Sequence, residues 1–219
     1  MSKIQIAVFD VDGTLIPHTS LEILFFRWLF TKKIIGFRQI QAFIVHVFLG
    51  LREDRTEAFQ RNKFYLRGLP LEKLQALSGA FFEEEIKSRL FRTLVDRMDV
   101  FHSQGKRNIL LSGSLHFLLE ELGAHLPVDS VIGCHLELQK GIITGRTEGI
   151  HPYGKDKVRA LQEFLNFRQV DFHNSWAFGD RWPDRYLLRL FGHCGVVNPG
   201  IRLEEWAKRR HCEIIQKAR

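Results

Sequence analysis

The stretch Ile4-Gln5-Ile6-Ala7-Val8-Phe9-Asp10-Val11-Asp12-Gly13-Thr14 decides how the rest of the chain is read. Its first half is short, mostly apolar and β-branched, and it ends in an acidic, glycine-containing turn, as a buried parallel strand does at its carboxyl end. Side chains two apart on an extended segment point the same way, so Asp10 and Asp12 leave the strand end together. Two such anions repel unless a proton or a cation sits with them. A hard Mg²⁺ suits the place, since it takes one or two carboxylates, several waters and the phosphate oxygens of its substrate.

From about Thr19 to Asp99 the pattern is helical. Leu21, Leu24, Phe25, Trp28 and Leu29 recur at helical spacing, as do Ile40, Phe43, Ile44, Val47 and Phe48, and Leu71, Leu74, Leu77, Phe81 and Phe82 follow the break at Gly68-Leu69-Pro70. After Gly105 strands and helices alternate. Strands are expected at Asn108–Leu111, Val131-Ile132 and Ser175–Phe178, with a hairpin made by His135–Leu138 and Ile142–Thr144. Helices are expected after Ser114 through Leu122, at Lys157–Phe167, at Asp184–Phe191 and at Ile201–Arg209, and Gly195–Val197 is expected to close the sheet. This alternation predicts an α/β fold, a doubly wound, mostly parallel Rossmann-like sheet that binds ligands beyond the carboxyl ends of its strands. The expected domains are a core of residues 1–17 and 101–219 and an inserted helical cap of residues 18–100, placed as a lid would be.

Other predicted strand ends carry polar groups. Gly179-Asp180-Arg181-Trp182-Pro183-Asp184 would complete a cluster of four carboxylates around a metal. Ser112, followed by Gly113, offers a hydroxyl and an unobstructed N–H to phosphate oxygens, and Lys157 opens a helix with a positive charge. A nucleophile, a neighbouring acid, a metal and donors for an anion define phosphoryl transfer. The plainer roles are a helix cap for Ser112 and an N-cap after Pro183 for Asp184. The ten histidines form no HExxH or HxH pattern, and His18 reads as a loop residue.

In this order the motifs resemble the haloacid dehalogenase (HAD) superfamily over nearly the whole chain. Ala7–Thr14 matches its first motif, Leu110-Leu111-Ser112 its second, a lysine at a helix start its third and Gly179–Asp184 its fourth. Val131–Leu138, Gly141–Gly145, Gly154–Val158 and Val197-Asn198-Pro199 look like subfamily IB, the group that includes phosphoserine phosphatases. The resemblance implies Asp10 as nucleophile forming an aspartyl-phosphate, and Asp12 as the acid that protonates the leaving alcohol and then activates water. It implies Mg²⁺ held by Asp10, the Asp12 carbonyl, Asp180 and Asp184, phosphoryl oxygens held by Ser112 and the Gly113 N–H, and Lys157 in preference to Lys155 as the motif lysine. Phosphoserine phosphatases resembling this chain place a Glu nine residues after the nucleophile for the substrate amine. Here that position is Thr19, and Glu22 could substitute only if the loop is displaced. Arg181 adds positive charge beside Asp180.

Composition narrows the class. Of 219 residues 45% are apolar and 26% charged, which fits a globular chain and excludes collagen-like, coiled-coil and wholly disordered readings. Cys134, Cys194 and Cys212 are too few and too scattered for a disulfide framework or a CxxC zinc site, so a cytoplasmic protein is expected. Met1–Ile6 lacks the long apolar run of an export signal, and Ile34–Leu51 holds too many polar residues for a membrane span. The net charge of +7 favours anionic partners. Between Ile23 and Pro70 nine basic residues (Arg27, Lys32, Lys33, Arg38, Arg52, Arg55, Arg61, Lys63, Arg67) face three acids (Glu53, Asp54, Glu57), and eleven of the 19 phenylalanines lie between His18 and Val100. Basic charge interleaved with aromatics is how a protein holds an anionic amphiphile or lies on an acidic bilayer, and the plainer role is a tightly packed cap core with a basic outside.

The expected activity is therefore hydrolysis of a phosphate monoester, first of a lipid or amphiphilic phosphate and alternatively of a small polar one such as phosphoserine. Peripheral contact with an anionic membrane is compatible with this charge, and nucleic acid is not expected. The rivals from other classes are a phospho-receiver-like signalling protein and a non-catalytic binder of anionic surfaces.

Overall fold

The computed structural model describes residues 3–50 and 62–216 of the chain. Its centre is β1 (Ile6–Phe9), with all four residues buried. Alternation along β1 sends Ile6 and Val8 into one apolar cluster and Ala7 and Phe9 into another, on opposite faces of the sheet. On one side β1 pairs in parallel with β2 (Arg107–Leu115), and on the other with β5 (Trp176–Gly179), with Val8 opposite both Ile109 and Ala177. The sheet then extends through β3 (Ser130–Gln139) and an antiparallel β4 (Ile142–Glu148) at one edge, and through β6 (His193–Val197) and β7 (Glu213–Ile215) at the other. The order β4-β3-β2-β1-β5-β6-β7 makes β1 the point from which the chain turns first one way and then the other. A crevice opens at such a switch point, beyond the carboxyl ends of β1, β2 and β5.

The helices among the described residues are α1 (Leu21–Thr31), α2 (Phe37–Gly50), α3 (Leu71–Phe81), α4 (Arg92–Ser103), α5 (His116–Ala124), α6 (Asp156–Phe164), a short α7 (Arg185–Leu188) and α8 (Ile201–Arg209). Ser20 caps α1, its side chain accepting the Ile23 N–H, and Leu21, Leu24, Phe25, Trp28 and Leu29 form its buried stripe. Phe25 sets its ring edge against Phe81 of α3 and Phe117 of α5, at 5.0 and 5.7 Å. α4 runs past Asp99, the expected end of the helical stretch, and packs Met98 and Phe101 into the apolar cluster that also holds Phe9 and Phe178 of the sheet.

Several expectations are corrected. The separate strands at Val131-Ile132 and His135–Leu138 are one, β3. Gly133, which reads as a break, is there because a Cβ would lie 2.7 Å from Leu119 Cδ1 and 2.8 Å from His116 Cα, so only glycine lets α5 lie this close to the strand. Gly195–Val197 does not close the sheet. β7 adds a three-residue edge, too short to show a pattern, pinned by a bidentate ion pair between Glu213 and Arg97 of α4. The helix expected at Asp184–Phe191 shortens to one turn, α7, after a 3₁₀ turn at Trp182–Asp184. Cys194 and Cys212, too scattered in sequence to suggest a disulfide framework, form one disulfide between β6 and the segment entering β7, while Cys134 is a buried thiol. Parallel pairing of β6 with β7 brings together cysteines 18 residues apart. Among the described residues no helix is long and apolar enough to cross a membrane. Arg52, Glu53, Asp54, Arg55, Glu57 and Arg61 of the basic stretch lie outside the described residues.

Candidate active site

Asp10 follows the last residue of β1 and is 4% exposed. Its Oδ2 accepts a hydrogen bond from Thr14 Oγ1 at 2.9 Å, and its Oδ1 accepts one from Lys157 Nζ at 2.6 Å. Lys157 lies in the first turn of α6, and the same buried ammonium donates to Asp184 Oδ1 at 2.7 Å. Lys155 is exposed. The other oxygen of Asp184 accepts the backbone N–H groups of Asp180 and Arg181, at 3.2 and 2.9 Å. Asp184 thus reaches back across the loop after β5, and its side chain does not cap α7.

The four strand-end acids divide. Asp10, Asp180 and Asp184 each present an oxygen within 4.8 Å of the others. The Asp12 carboxylate does not join them, so the expected cluster of four side chains is one of three. Three donors hold Asp12 elsewhere: its Oδ1 accepts the Leu21 N–H at 2.7 Å, and its Oδ2 accepts Ser112 Oγ at 2.7 Å and Ser114 Oγ at 2.8 Å. Gly13 separates the two groups with φ +87°, and a Cβ there would stand 2.0 Å from Asp180 Oδ2. The glycine of the first motif is therefore required both by its backbone and by the approach of Asp180.

Burial is the main cause that raises Asp10, to about 6. Lys157 pulls it down, and Asp184 and Asp12 push it further up. Asp180 rises to about 8, from burial first and then from the repulsion of Asp10 and Asp184. Burial alone would lower Lys157, but Asp10 and Asp184 outweigh it and hold the ammonium above its ordinary range. One buried ammonium holds two of these carboxylates and Arg181 lies beside the third, and the raised acids record burial and the repulsion left over. An all-oxygen donor set with surplus negative charge fits a small hard divalent ion such as Mg²⁺.

A cavity of about 410 Å³ opens on this cluster. Asp10, Ser112, Gly113, Lys157 and Asp180 line it from the sheet domain, and Glu22, Ile23, Phe26, Phe43, Lys63 and Tyr65 line it from the inserted segment. Glu22 thus reaches the site from three residues beyond the expected position. Its Oε1 accepts Lys63 Nζ at 2.7 Å and Tyr65 OH at 2.9 Å, and its Oε2 accepts Lys63 Nζ at 2.6 Å. Arg181 also lines the cavity, with Nε 3.5 Å from Asp180 Oδ2, whereas His18 is an exposed loop residue.

Sequence reasoning missed Ser114, His151, Lys63 and Tyr65, all buried and all on the cavity. Ser114 had a signal, because Ser112-Gly113-Ser114 on a strand aims both hydroxyls the same way. Lys63 and Tyr65 had none, being 41 and 43 residues from their partner Glu22.

Comparison with known proteins identifies the family and the fold. Residues 7–189 match the family of haloacid dehalogenase-like hydrolases. The phosphoserine phosphatase SerB1 of Mycobacterium tuberculosis is 25% identical over 214 residues, covering 95% of this chain and 69% of its own. A Bordetella pertussis protein of unknown function has a TM-score of 0.82 at 21% identity, covering 98% of this chain and 99% of its own. A phosphoserine phosphatase solved as a phospho-aspartyl intermediate analogue has a TM-score of 0.61 at 16% identity, covering 100% and 95%. At these identities the structures speak to the fold.

Proposed function

Because the chain belongs to the haloacid dehalogenase-like hydrolases, we propose that this phosphoric monoester hydrolase, phosphoserine phosphatase-like in kind, works through Asp10 as nucleophile with Mg²⁺ as cofactor. The carrying observation is the buried Lys157 ammonium. It joins Asp10 at 2.6 Å to Asp184 at 2.7 Å, with Asp180 in the same cluster, at the mouth of the crevice beyond β1.

Asp10 Oδ attacks phosphorus, the bond from phosphorus to the ester oxygen breaks, and Asp12 gives its proton to the departing alkoxide. Asp12 then takes a proton from water, the water oxygen bonds to phosphorus, and the Asp10–phosphorus bond breaks to release phosphate. Ser112 and Ser114 support the change at Asp12, since each hydroxyl can turn from donor to acceptor as the carboxyl gains its proton. Ser112 and the Gly113 N–H hold the phosphoryl oxygens, and Lys157 keeps Asp10 aimed. Asp10, Asp180, Asp184 and the Asp12 carbonyl would hold Mg²⁺, which when bound offsets charge on the transferring phosphoryl group. Residues 18–100 serve as the cap that selects the leaving group.

The apolar part of the cavity wall, Ile23, Phe26 and Phe43, favours an amphiphilic or lipid-type phosphate. A second reading, a small polar ester such as phosphoserine, draws on Glu22 and Lys63, an acid and a base that could meet an ammonium and a carboxylate. The test is Asp10→Asn assayed on a generic aryl phosphate with and without EDTA. Turnover should fall by at least about 10³-fold in the variant with the fold retained, and EDTA should abolish wild-type turnover. Near-normal hydrolysis by the variant sinks the nucleophile assignment. Phosphoserine set against a short-chain phosphatidic acid then separates the two substrate readings.

A further inference from the structure

The cap carries an apolar and basic surface that begins at the cavity wall and runs outward beyond it. Among the described residues eleven large hydrophobic side chains are exposed, and five of them (Ile23, Phe30, Phe37, Ile44, Val45) lie on α1 and α2. Single exposed hydrophobics are ordinary, but a concentration on one pair of helices is not. On α1 the positions 23, 26, 27 and 30 fall on one side of the helix, opposite the buried stripe, so Ile23, Phe26, Arg27 and Phe30 form a continuous row. Phe30 is 51% exposed and Phe37 is 71% exposed, and they flank the turn between the helices, which carries Lys32 and Lys33 and is followed by Arg38. Lys32 is held by Glu84. From Ile23 to Gly50 the sequence contains no Asp or Glu, while Arg27, Lys32, Lys33 and Arg38 supply positive charge.

We propose that the outer face of α1 and the turn into α2 rest on an anionic lipid bilayer. Two observations favour this occupant over another protein. Aromatic side chains interleaved with Arg27, Lys33 and Arg38, with Glu84 balancing only Lys32, complement an acidic headgroup layer above hydrocarbon. The row is also continuous with the active site, because Ile23 and Phe26 at its inner end line the cavity that holds Asp10. A phosphate monoester borne by a lipid would reach Asp10 along this row while its acyl part stays against apolar side chains. The inference rests on the phosphatase reading and adds the surface from which the substrate is drawn.

The experiment is co-sedimentation with vesicles of phosphatidylcholine alone and of phosphatidylcholine and phosphatidylglycerol in equal parts, with hydrolysis of a soluble aryl phosphate measured in parallel. The variants are Phe30→Glu with Phe37→Glu, and Lys33→Gln with Arg38→Gln, all at exposed positions outside the catalytic cluster. The unsubstituted chain should bind only the anionic vesicles, and added salt should weaken the binding. The aromatic pair should lower the vesicle partition coefficient about tenfold or more, and the basic pair about fivefold for each charge removed. Aryl-phosphate turnover should be unchanged in both. Equal sedimentation with both vesicle types, or variants that bind as the unsubstituted chain does, would overturn the proposal. So would dissociation of a self-associated form by the aromatic pair in the absence of vesicles, which would make a second copy the occupant. Failure of the unsubstituted chain to hydrolyse the aryl ester would instead remove the phosphatase reading, whatever the vesicles show.

Discussion

Gly13 does two things that no other residue type can do there. Its φ of +87° lies where a side chain is strained, and the Asp180 carboxylate fills the space a Cβ would take. Gly13→Ala is expected to cost about 1–2 kcal/mol for the backbone alone, and to displace Asp180 from Asp10 and Asp184. Urea unfolding should show the first effect, and a weaker Mg²⁺ requirement curve in the activity assay should show the second. The acids themselves were legible, since Asp10, Asp12, Asp180 and Asp184 stand at predicted strand ends. Their partition into a cluster of three and a separately bonded Asp12 was not. It depends on Leu21, Ser112 and Ser114 converging on Asp12 from two elements, a matter of angle that spacing along a chain does not encode.

Helices with a strong apolar period and the buried strands β1, β5 and β6 were read well, while the extent of β3 and the edge strand β7 were not. The stripe of α1 is plain in sequence, and in the structure its Phe25 packs on α3 within the inserted segment and ties that segment to α5 beside the sheet. Phe25→Ala should remove about 3–5 kcal/mol of stability, measured by urea or thermal unfolding, with a larger loss of activity at elevated temperature than at low temperature. β7 escaped notice because three residues carry no period, and β3 was divided in two because a glycine that permits helix contact looks like a glycine that ends a strand. In both cases the missing information was the neighbour: Arg97 and β6 for one, Leu119 and His116 for the other.

The charge of the whole site links folding to pH. Asp10 and Asp180 are raised in the folded chain, so between about pH 4 and 8 the folded state holds more protons than the unfolded one. Their contribution to stability is present at the acid end and is lost as the pH climbs through those values. A divalent ion relieves the same repulsion, so Mg²⁺ should raise Tm little near pH 5 and more near pH 8. At about 100 times its Kd the ion adds about 2.7 kcal/mol, which at about 2–4 °C per kcal/mol is a rise of about 5–10 °C. A Mg²⁺ effect on Tm independent of pH would contradict the assignment of Asp10 and Asp180 to one site.

Fold class and reaction chemistry could be read along the chain because both rest on local regularities: alternation of strand and helix, and acids placed where a parallel strand must end. The cavity could not. Glu22, Lys63 and Tyr65 meet across more than forty positions, and Cys194 finds Cys212 only because β6 and β7 lie side by side. Long-range pairing follows from packing, where the nearest neighbour in space is set by the shape of the filled core rather than by separation in sequence.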